Sequence, residues 1–190
     1  MTSLDRGSPA SQEIPCTLAE GGYHYSDASP SHTNTYLMPV VRSILSDVAP
    51  NGRILDLGCG NGAVSADLAA CGYDVVGVDP SESAIRIASE RRSSATFLRG
   101  SAYDDLSQAL GRFAVVISLE VVEHVYSPRR FVECVKSCLQ PGGIAVLSTP
   151  YHGYVKNLAI AFCGRMDRHF TALWEHGHIK FWSMRTMRQL

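Results

Sequence analysis

Three glycines in steps of two, with an acid ahead of them, form the most informative stretch: Leu55-Asp56-Leu57-Gly58-Cys59-Gly60-Asn61-Gly62. Gly58, Gly60 and Gly62 let the backbone turn tightly and let a ligand approach it closely. A helix beginning beyond them would offer unpaired N–H groups. Glycines alone would also suit a nucleotide phosphate. Asp56 shifts the balance, because a carboxylate there favours a cation and repels a pyrophosphate. A second acid, Asp79, ends Val75-Val76-Gly77-Val78 roughly twenty positions on, where a doubly wound fold places the carboxylate that grips ribose hydroxyls. A cationic amino acid joined to a ribose describes S-adenosylmethionine. Further along, Glu120, Glu123 and His124 follow an apolar run. His124 could act as a general base toward a substrate hydroxyl. Two carboxylates and an imidazole could instead hold a divalent ion, or merely order the loop. If this segment is helical, Glu120 and His124 share a face.

The elements that position these residues alternate. A helix is expected over 35–48, with Leu37, Val40, Val41, Ile44, Leu45 and Val48 spaced at three and four. Pro50-Asn51-Gly52 should stop it. Strands are expected over 53–57, 74–78, 95–98, 113–119 and 144–148. Helices are expected over 63–70, closed by Cys71-Gly72, over 81–92 with Ser81 as N-cap, and over 128–139 with Pro128 in the first turn. Pro141-Gly142-Gly143 should turn the chain into the last strand. Strands separated by helices imply right-handed crossovers, hence an α/β doubly wound, mainly parallel sheet.

The chain has 190 residues, which suits one domain, and 17 Lys+Arg against 18 Asp+Glu give a net charge of −1. That balance argues against a nucleic-acid binder with a broad basic face. Hydrophobic residues reach 45%, too many for wholesale disorder. No apolar run approaches the ~20 residues of a membrane span. The first residues lack the apolar centre of a secretory signal, so a cytoplasmic location is expected. Residues 1–22 read as a flexible leader and 23–190 as the domain. The six cysteines include no C-x-x-C pair and read as reduced thiols. Cys134 and Cys138 should share a helix face.

Taken together, LDLGCGNG, VVGVDPS, FLRGSAYD, FAVVISLEVVEHV and LQPGGIAVLSTP resemble, in order, the class I S-adenosylmethionine-dependent methyltransferases. LEVVEHV and STP are most similar to the ubiquinone-biosynthesis O-methyltransferases. The resemblance implies a Rossmann-like sheet and S-adenosyl-L-methionine as cofactor. It places the methionyl end against Asp56, Gly58 and Gly60, with Cys59 contributing backbone. Asp79 would accept from the ribose hydroxyls, Pro80 and Ser81 would lie beside the adenine, and Ser101 and Ala102 would face its edge. Many relatives carry Asp where Ser101 stands. Leu119 would pack near the methionine moiety. The resemblance also allows a divalent ion at Glu120, Glu123 and His124. Tyr23-His24-Tyr25-Ser26-Asp27 and His32 would form a lid, with aromatic faces suited to a sulfonium. Met38 stands where the ubiquinone enzymes carry a cofactor-binding Arg, so the cofactor carboxylate needs another partner.

Residues 151–182 correspond to the family's substrate-side insertion. Its first part, 155–163, is a short apolar helix candidate that could cover the active site or touch a lipid surface. Arg165, Arg168, His169, Trp174, His176, His178, Lys180 and Trp182 then mix cations with aromatics, which suits an acidic or aromatic small-molecule acceptor: a phenol, a quinol or a lipid-like molecule. His176 and His178 are a weaker candidate for a metal pair. Residues 183–190 look like the start of a helix, and the family's last two strands have no counterpart. The strand 144–148 would then be an exposed edge, open to a second copy in a homodimer. Two rival readings are a cofactor-binding but inactive partner protein and a nucleotide-linked oxidoreductase. The latter lacks the G-x-G-x-x-G spacing.

Overall fold

The computed structural model describes residues 25–48, 52–170, 172–174 and 177–190. The leader over 1–22, Tyr23, His24, Pro50, Asn51, Cys16 and His176 lie outside them.

Five strands, Arg53–Leu57 (β1), Asp74–Asp79 (β2), Thr96–Arg99 (β3), Phe113–Leu119 (β4) and Leu139–Ser148 (β5), pair in parallel in the order β3-β2-β1-β4-β5. In the central strand β1, Leu55 stands opposite Val76 on one side and Val116 on the other. Strands covered on both faces carry apolar side chains in succession, which is why β2 and β4 read as nearly continuous apolar runs, while β1 is apolar except for Arg53 and Asp56. On one face Ile54, Val75, Val115 and Ile117 pack with Met38, Val41 and Leu45 of the helix Asn34–Val48 (α1) and Leu68 of Ala63–Ala70 (α2). On the other, Leu55, Leu57, Val76 and Val116 pack with Phe131, Val135 and Cys138 of Pro128–Cys138, the helix before β5.

Several elements differ from the sequence reading. The buried stripe of α1 is Met38, Val41 and Leu45, while Val40 and Val48 face solvent, because residue 40 lies about 100° around the helix from residue 41. The next helix, Glu82–Ser89 (α3), stops short of 92. Ser81 caps it, accepting from the Ala84 N–H at 3.2 Å. Beyond Ser89 the apolar spacing ends, and the Arg91 guanidinium turns back to donate to the Asn61 carbonyl at 2.6 Å. The helix Leu106–Leu110 (α4) was not expected. It is only five residues long, capped by Asp105 and anchored by the buried Leu106, so it shows no periodicity. Numbered in chain order, Pro128–Cys138 is α5, and β5 follows it directly. The Pro141-Gly142-Gly143 turn is a register shift inside β5's pairing with β4. Three helices follow: Tyr154–Phe162 (α6), Met166–His169 (α7) and Met184–Gln189 (α8), the second unexpected. The expected face-sharing of Cys134 and Cys138 is seen in α5, where both thiols are buried and free. Among the described residues β5 forms one edge of the sheet, met only near its end by a bridge between Tyr151 and Trp182. No described helix is long and apolar enough to cross a membrane.

Candidate active site

The strand order reverses between β1 and β4, and ligands of open α/β sheets bind outside the carboxyl ends of strands at such a point. The glycine turn leaves β1 there. The Gly58 and Cys59 N–H groups both donate to the Val78 carbonyl, at 2.7 and 3.1 Å, which ties the turn to the end of β2. Asp79 accepts from the Gly60 N–H at 2.9 Å with one oxygen and from the Ser81 N–H at 2.8 Å with the other. This carboxylate therefore shapes the turn as well as facing the cavity. Gly60 has φ +53°, and a Cβ there would lie 2.6 Å from the Tyr25 hydroxyl, so both backbone and space demand glycine.

Asp56 is fully buried, with one oxygen accepting from the Ser65 hydroxyl at 2.6 Å. Burial first, and the neighbouring Asp79 in addition, push its carboxyl up to about 7 against the pull of Ser65. Burial also raises Asp79, opposed by its two backbone donors. Two acids under one glycine turn make a site that gains from a cation.

A cavity of about 770 Å³ opens over this turn. Asp56, Gly58, Cys59, Gly60, Asp79, Pro80, Ser81, Leu119 and His124 all line it. Ser101 and Ala102 do not. Ser101 is buried in a local turn, its N–H donating to Asp104 at 2.7 Å and its hydroxyl accepting from the Tyr103 N–H at 3.2 Å. Residues 25–31 cross one side of the cavity. The Tyr25 N–H donates to the Ser83 hydroxyl at 3.1 Å, and the Asn61 amide donates to the Asp27 and Ser29 carbonyls at 3.1 and 2.8 Å. Arg91 adds a bond to the Ala28 carbonyl. Asn61 and Arg91 thus clamp the strap that the sequence presented only as a lid, and nothing local in the sequence linked Arg91 to it. His32 is exposed and outside the lining. Met38 belongs to the core, and no arginine or lysine stands among the described lining residues. Ser26, Asp27, Ser29, Ser31, Thr33 and Asn34 are among the polar groups on that side.

The segment after β4 is a turn, not a helix, so Glu120 and His124 do not share a helical face. Glu120 has φ +58° and is held by β5: its N–H meets the Ser148 carbonyl and hydroxyl at 3.2 and 3.1 Å, and that hydroxyl donates to its carboxylate at 2.8 Å. Positive φ at a non-glycine residue stores strain, and such strain clusters at functional sites. His124 Nδ1 lies 3.2 Å from the Gly177 carbonyl. A carbonyl only accepts, so Nδ1 carries the proton and Nε2 is the ring's acceptor nitrogen. Glu123 is 1% exposed, and neither carboxylate oxygen meets a donor in hydrogen-bond geometry. Burial, with Glu120 adding, pushes it up to about 7, tempered by its own backbone N–H and Thr149. His178 Nε2 is 3.9 Å from Glu123, and burial lowers that imidazole. Carboxyl and imidazole therefore both tend toward their neutral forms near pH 7.

Ligand atoms of Glu123, His124 and His178 lie within 4.8 Å of one another. One carboxylate and two imidazoles suit a divalent first-row metal. Glu120, a candidate from sequence, is instead engaged with Ser148, and His178 replaces it. The sequence paired His178 with His176 and not with Glu123, because 178 meets 123 only through the insertion's return. There the Ile179 and Lys180 N–H groups donate to the Glu123 carbonyl at 3.0 Å, and the Trp182 indole donates to the Val122 carbonyl at 3.2 Å. Trp182, grouped with the substrate-side aromatics, is a core residue.

A ubiquinone biosynthesis O-methyltransferase from Cereibacter sphaeroides is 38% identical over 115 residues, covering 59% of this chain and 46% of the relative. The chain spans about half the length of the curated relatives it matches. An S-adenosylmethionine-dependent methyltransferase structure from Mesorhizobium loti aligns with TM-score 0.50 at 28% identity, over 60% of this chain and 53% of that one. Magnesium protoporphyrin IX methyltransferase from Synechocystis shares the fold at TM-score 0.61 and 21% identity, over 87% of this chain and 77% of that one. The family model described as a methyltransferase domain matches residues 31–190. The chain belongs to that family, the class I S-adenosylmethionine-dependent methyltransferases.

Proposed function

We propose that this chain binds S-adenosylmethionine over the glycine turn and transfers its methyl group to an oxygen of a small-molecule acceptor, with nitrogen the less favoured nucleophile. The observation that carries this is the pairing of two buried acids, Asp56 and Asp79, around one glycine turn in a single cavity. Asp56 would face the cationic methionyl end together with Gly58, Gly60 and the Cys59 backbone. Asp79 would take the ribose, with Pro80 and Ser81 beside the adenine and Leu119 beside the methionine moiety. Ser101 and Ala102 would reach the adenine edge only if the turn at Ser101 rearranged. His124 would accept the acceptor's proton through Nε2. Because the sulfonium is already activated, aligning the nucleophile supplies most of the remaining catalysis. Titration calorimetry with S-adenosylmethionine and S-adenosylhomocysteine tests the reading. Micromolar binding of both is expected, and binding of neither would overturn it.

The names of the curated relatives support a phenolic or quinol acceptor. A lipid-like acceptor is supported by α6, whose Tyr154, Val155, Leu158 and Phe162 are exposed and suit a peripheral membrane surface. A cytoplasmic location and a homodimer joined along β5 complete the proposal, with no nucleic-acid partner. A second reading adds a divalent ion at Glu123, His124 and His178, favoured by a buried carboxylate that lacks a hydrogen-bond donor. The inactive-partner reading is answered by the same calorimetry followed by an acceptor screen: binding without turnover of any phenol, quinol or amine would favour it. The oxidoreductase reading has no family support.

A further inference from the structure

A second cavity, of about 320 Å³, abuts the first and shares Trp174, Gly177 and Ile179 with it. Its ionisable lining is wholly basic: His152, Lys156, His169 and His178, with no carboxylate among the described lining residues. The His152 Nδ1 and His169 Nε2 atoms are buried and meet no hydrogen-bond partner. A buried polar atom without a partner is costly, and native proteins usually keep one for a ligand, a water or chemistry. The two rings are 5.5 Å apart, and Phe170 and Phe181 flank them, Phe181 edge-on to His152 at 4.9 Å.

We infer that this cavity is an anion subsite for the methyl acceptor, taking the carboxylate of an aromatic hydroxy acid whose hydroxyl points into the main cavity. The inference rests on the methyltransferase reading for the direction of the hydroxyl, but not for the binding of the acid. The carboxylate accepts from His152, His169 and Lys156, and the ring lies among the phenylalanines. Without a ligand, burial lowers His152, and Lys156, His169 and His178 lower it further by charge repulsion. An arriving anion reverses that balance, because it stabilises the imidazolium. Binding therefore draws a proton onto His152. His178 lines this cavity, and its Nε2 also lies 3.9 Å from the Glu123 carboxylate.

The test is an NMR titration of the full chain with 4-hydroxybenzoate and with phenol, at pH 6.5, with and without S-adenosylhomocysteine. The acid is expected to bind about tenfold more tightly than phenol or better, as one charge-assisted contact set provides. Over a pH series, saturation should raise the titration midpoint of His152 by about one unit or more. The double substitution His152→Gln and His169→Gln should abolish the preference while leaving phenol and S-adenosylhomocysteine affinities unchanged. Lys156→Met should reduce the preference several-fold and serves if the double variant fails to fold. Equal binding of acid and phenol, an unmoved His152 midpoint, or a preference that survives these substitutions would overturn the subsite. Loss of S-adenosylhomocysteine binding alone would strike the methyltransferase reading and leave the acid–phenol comparison standing.

Discussion

Lowering the pH should release the cofactor, and Asp56 sets the size of the effect. Its carboxyl is buried against Asp79 and pushed up to about 7, so near neutrality it is half protonated before a ligand arrives. The ionised form is the one that attracts a cationic methionyl group. If affinity follows the ionised fraction, S-adenosylhomocysteine binding falls about fivefold from pH 7 to pH 6, and about tenfold more from pH 6 to pH 5. Over that range the ligand's amino group keeps its charge, so the slope belongs to the protein. Binding at pH 6.5 should also release a proton, visible as an enthalpy that changes with the buffer's ionisation heat. Asp56→Asn removes the titrating group while keeping the acceptor for Ser65. Its affinity at pH 7 should drop to about that of the wild type at pH 5, and the slope should vanish. A flat profile in the wild type between pH 5 and pH 7, or the same slope in Asp56→Asn, would refute the electrostatic role of this acid.

Asp79→Ala should weaken S-adenosylhomocysteine binding by about tenfold or more and lower the melting temperature, because the Gly60 and Ser81 N–H groups lose their acceptor together with the ribose. Gly60→Ala should cost about 1–3 kcal/mol in chemical denaturation, through its φ of +53° and the collision with Tyr25; an unchanged midpoint would show that the strap is not seated there. Asp56 and Glu123 both keep their protons in the folded chain up to about pH 7, whereas the unfolded chain loses them near the ordinary carboxyl values. The native state thus binds more protons between about pH 4 and 7, so thermal stability should fall as pH rises from 5 to 8, and Glu123→Gln should shallow that fall. Zinc or manganese calorimetry should show one site per chain that His178→Ala abolishes, and no heat from either ion would remove the metal reading.

The parts of the fold that local spacing encodes were legible: the glycine turn, Asp79 at a strand end, and the apolar runs of β2 and β4. Elements built from few residues were not. α4 has one buried leucine and an aspartate cap, too little for periodicity to register. The end of α3 was misplaced because Arg91 leaves the helix to hold Asn61, a contact across thirty positions. The candidate site divides the same way. Asp56 and the glycines act within one turn and could be read from it. His178 reaches Glu123 only because two N–H groups of the returning insertion share the Glu123 carbonyl, and the His152–His169 cavity exists only once α6 and α7 fold against that return. Ser101 looked accessible by its place after β3, but Asp104 and Tyr103, three and two residues on, engage it first.

Two carboxyls are pushed up to about 7, Asp56 in the cavity lining and Glu123 buried next to His124, and the shared cause bears on the proposed transfer. Each rises because water is excluded around it. A methyl transfer from a sulfonium to a phenolate destroys a positive and a negative charge in one step. Water stabilises the separated charges of the ground state more than the spread charge of the transition state, so excluding water favours the reaction provided both charges can be assembled. In the proposed reading Asp56 and Asp79 would assemble the first by taking in the cation. The second must be made in place, by moving the acceptor's proton to a group that tolerates it in a dry site. His124 Nε2 can take that proton, and the Glu123–His178 pair beside it, both partners near neutrality at pH 7, lets the added positive charge be shared with a carboxyl about to ionise. The burial that raises Asp56 suits a charge-cancelling reaction beside it, and a substitution that lets water reach Asp56 should lower its carboxyl midpoint and slow the transfer together.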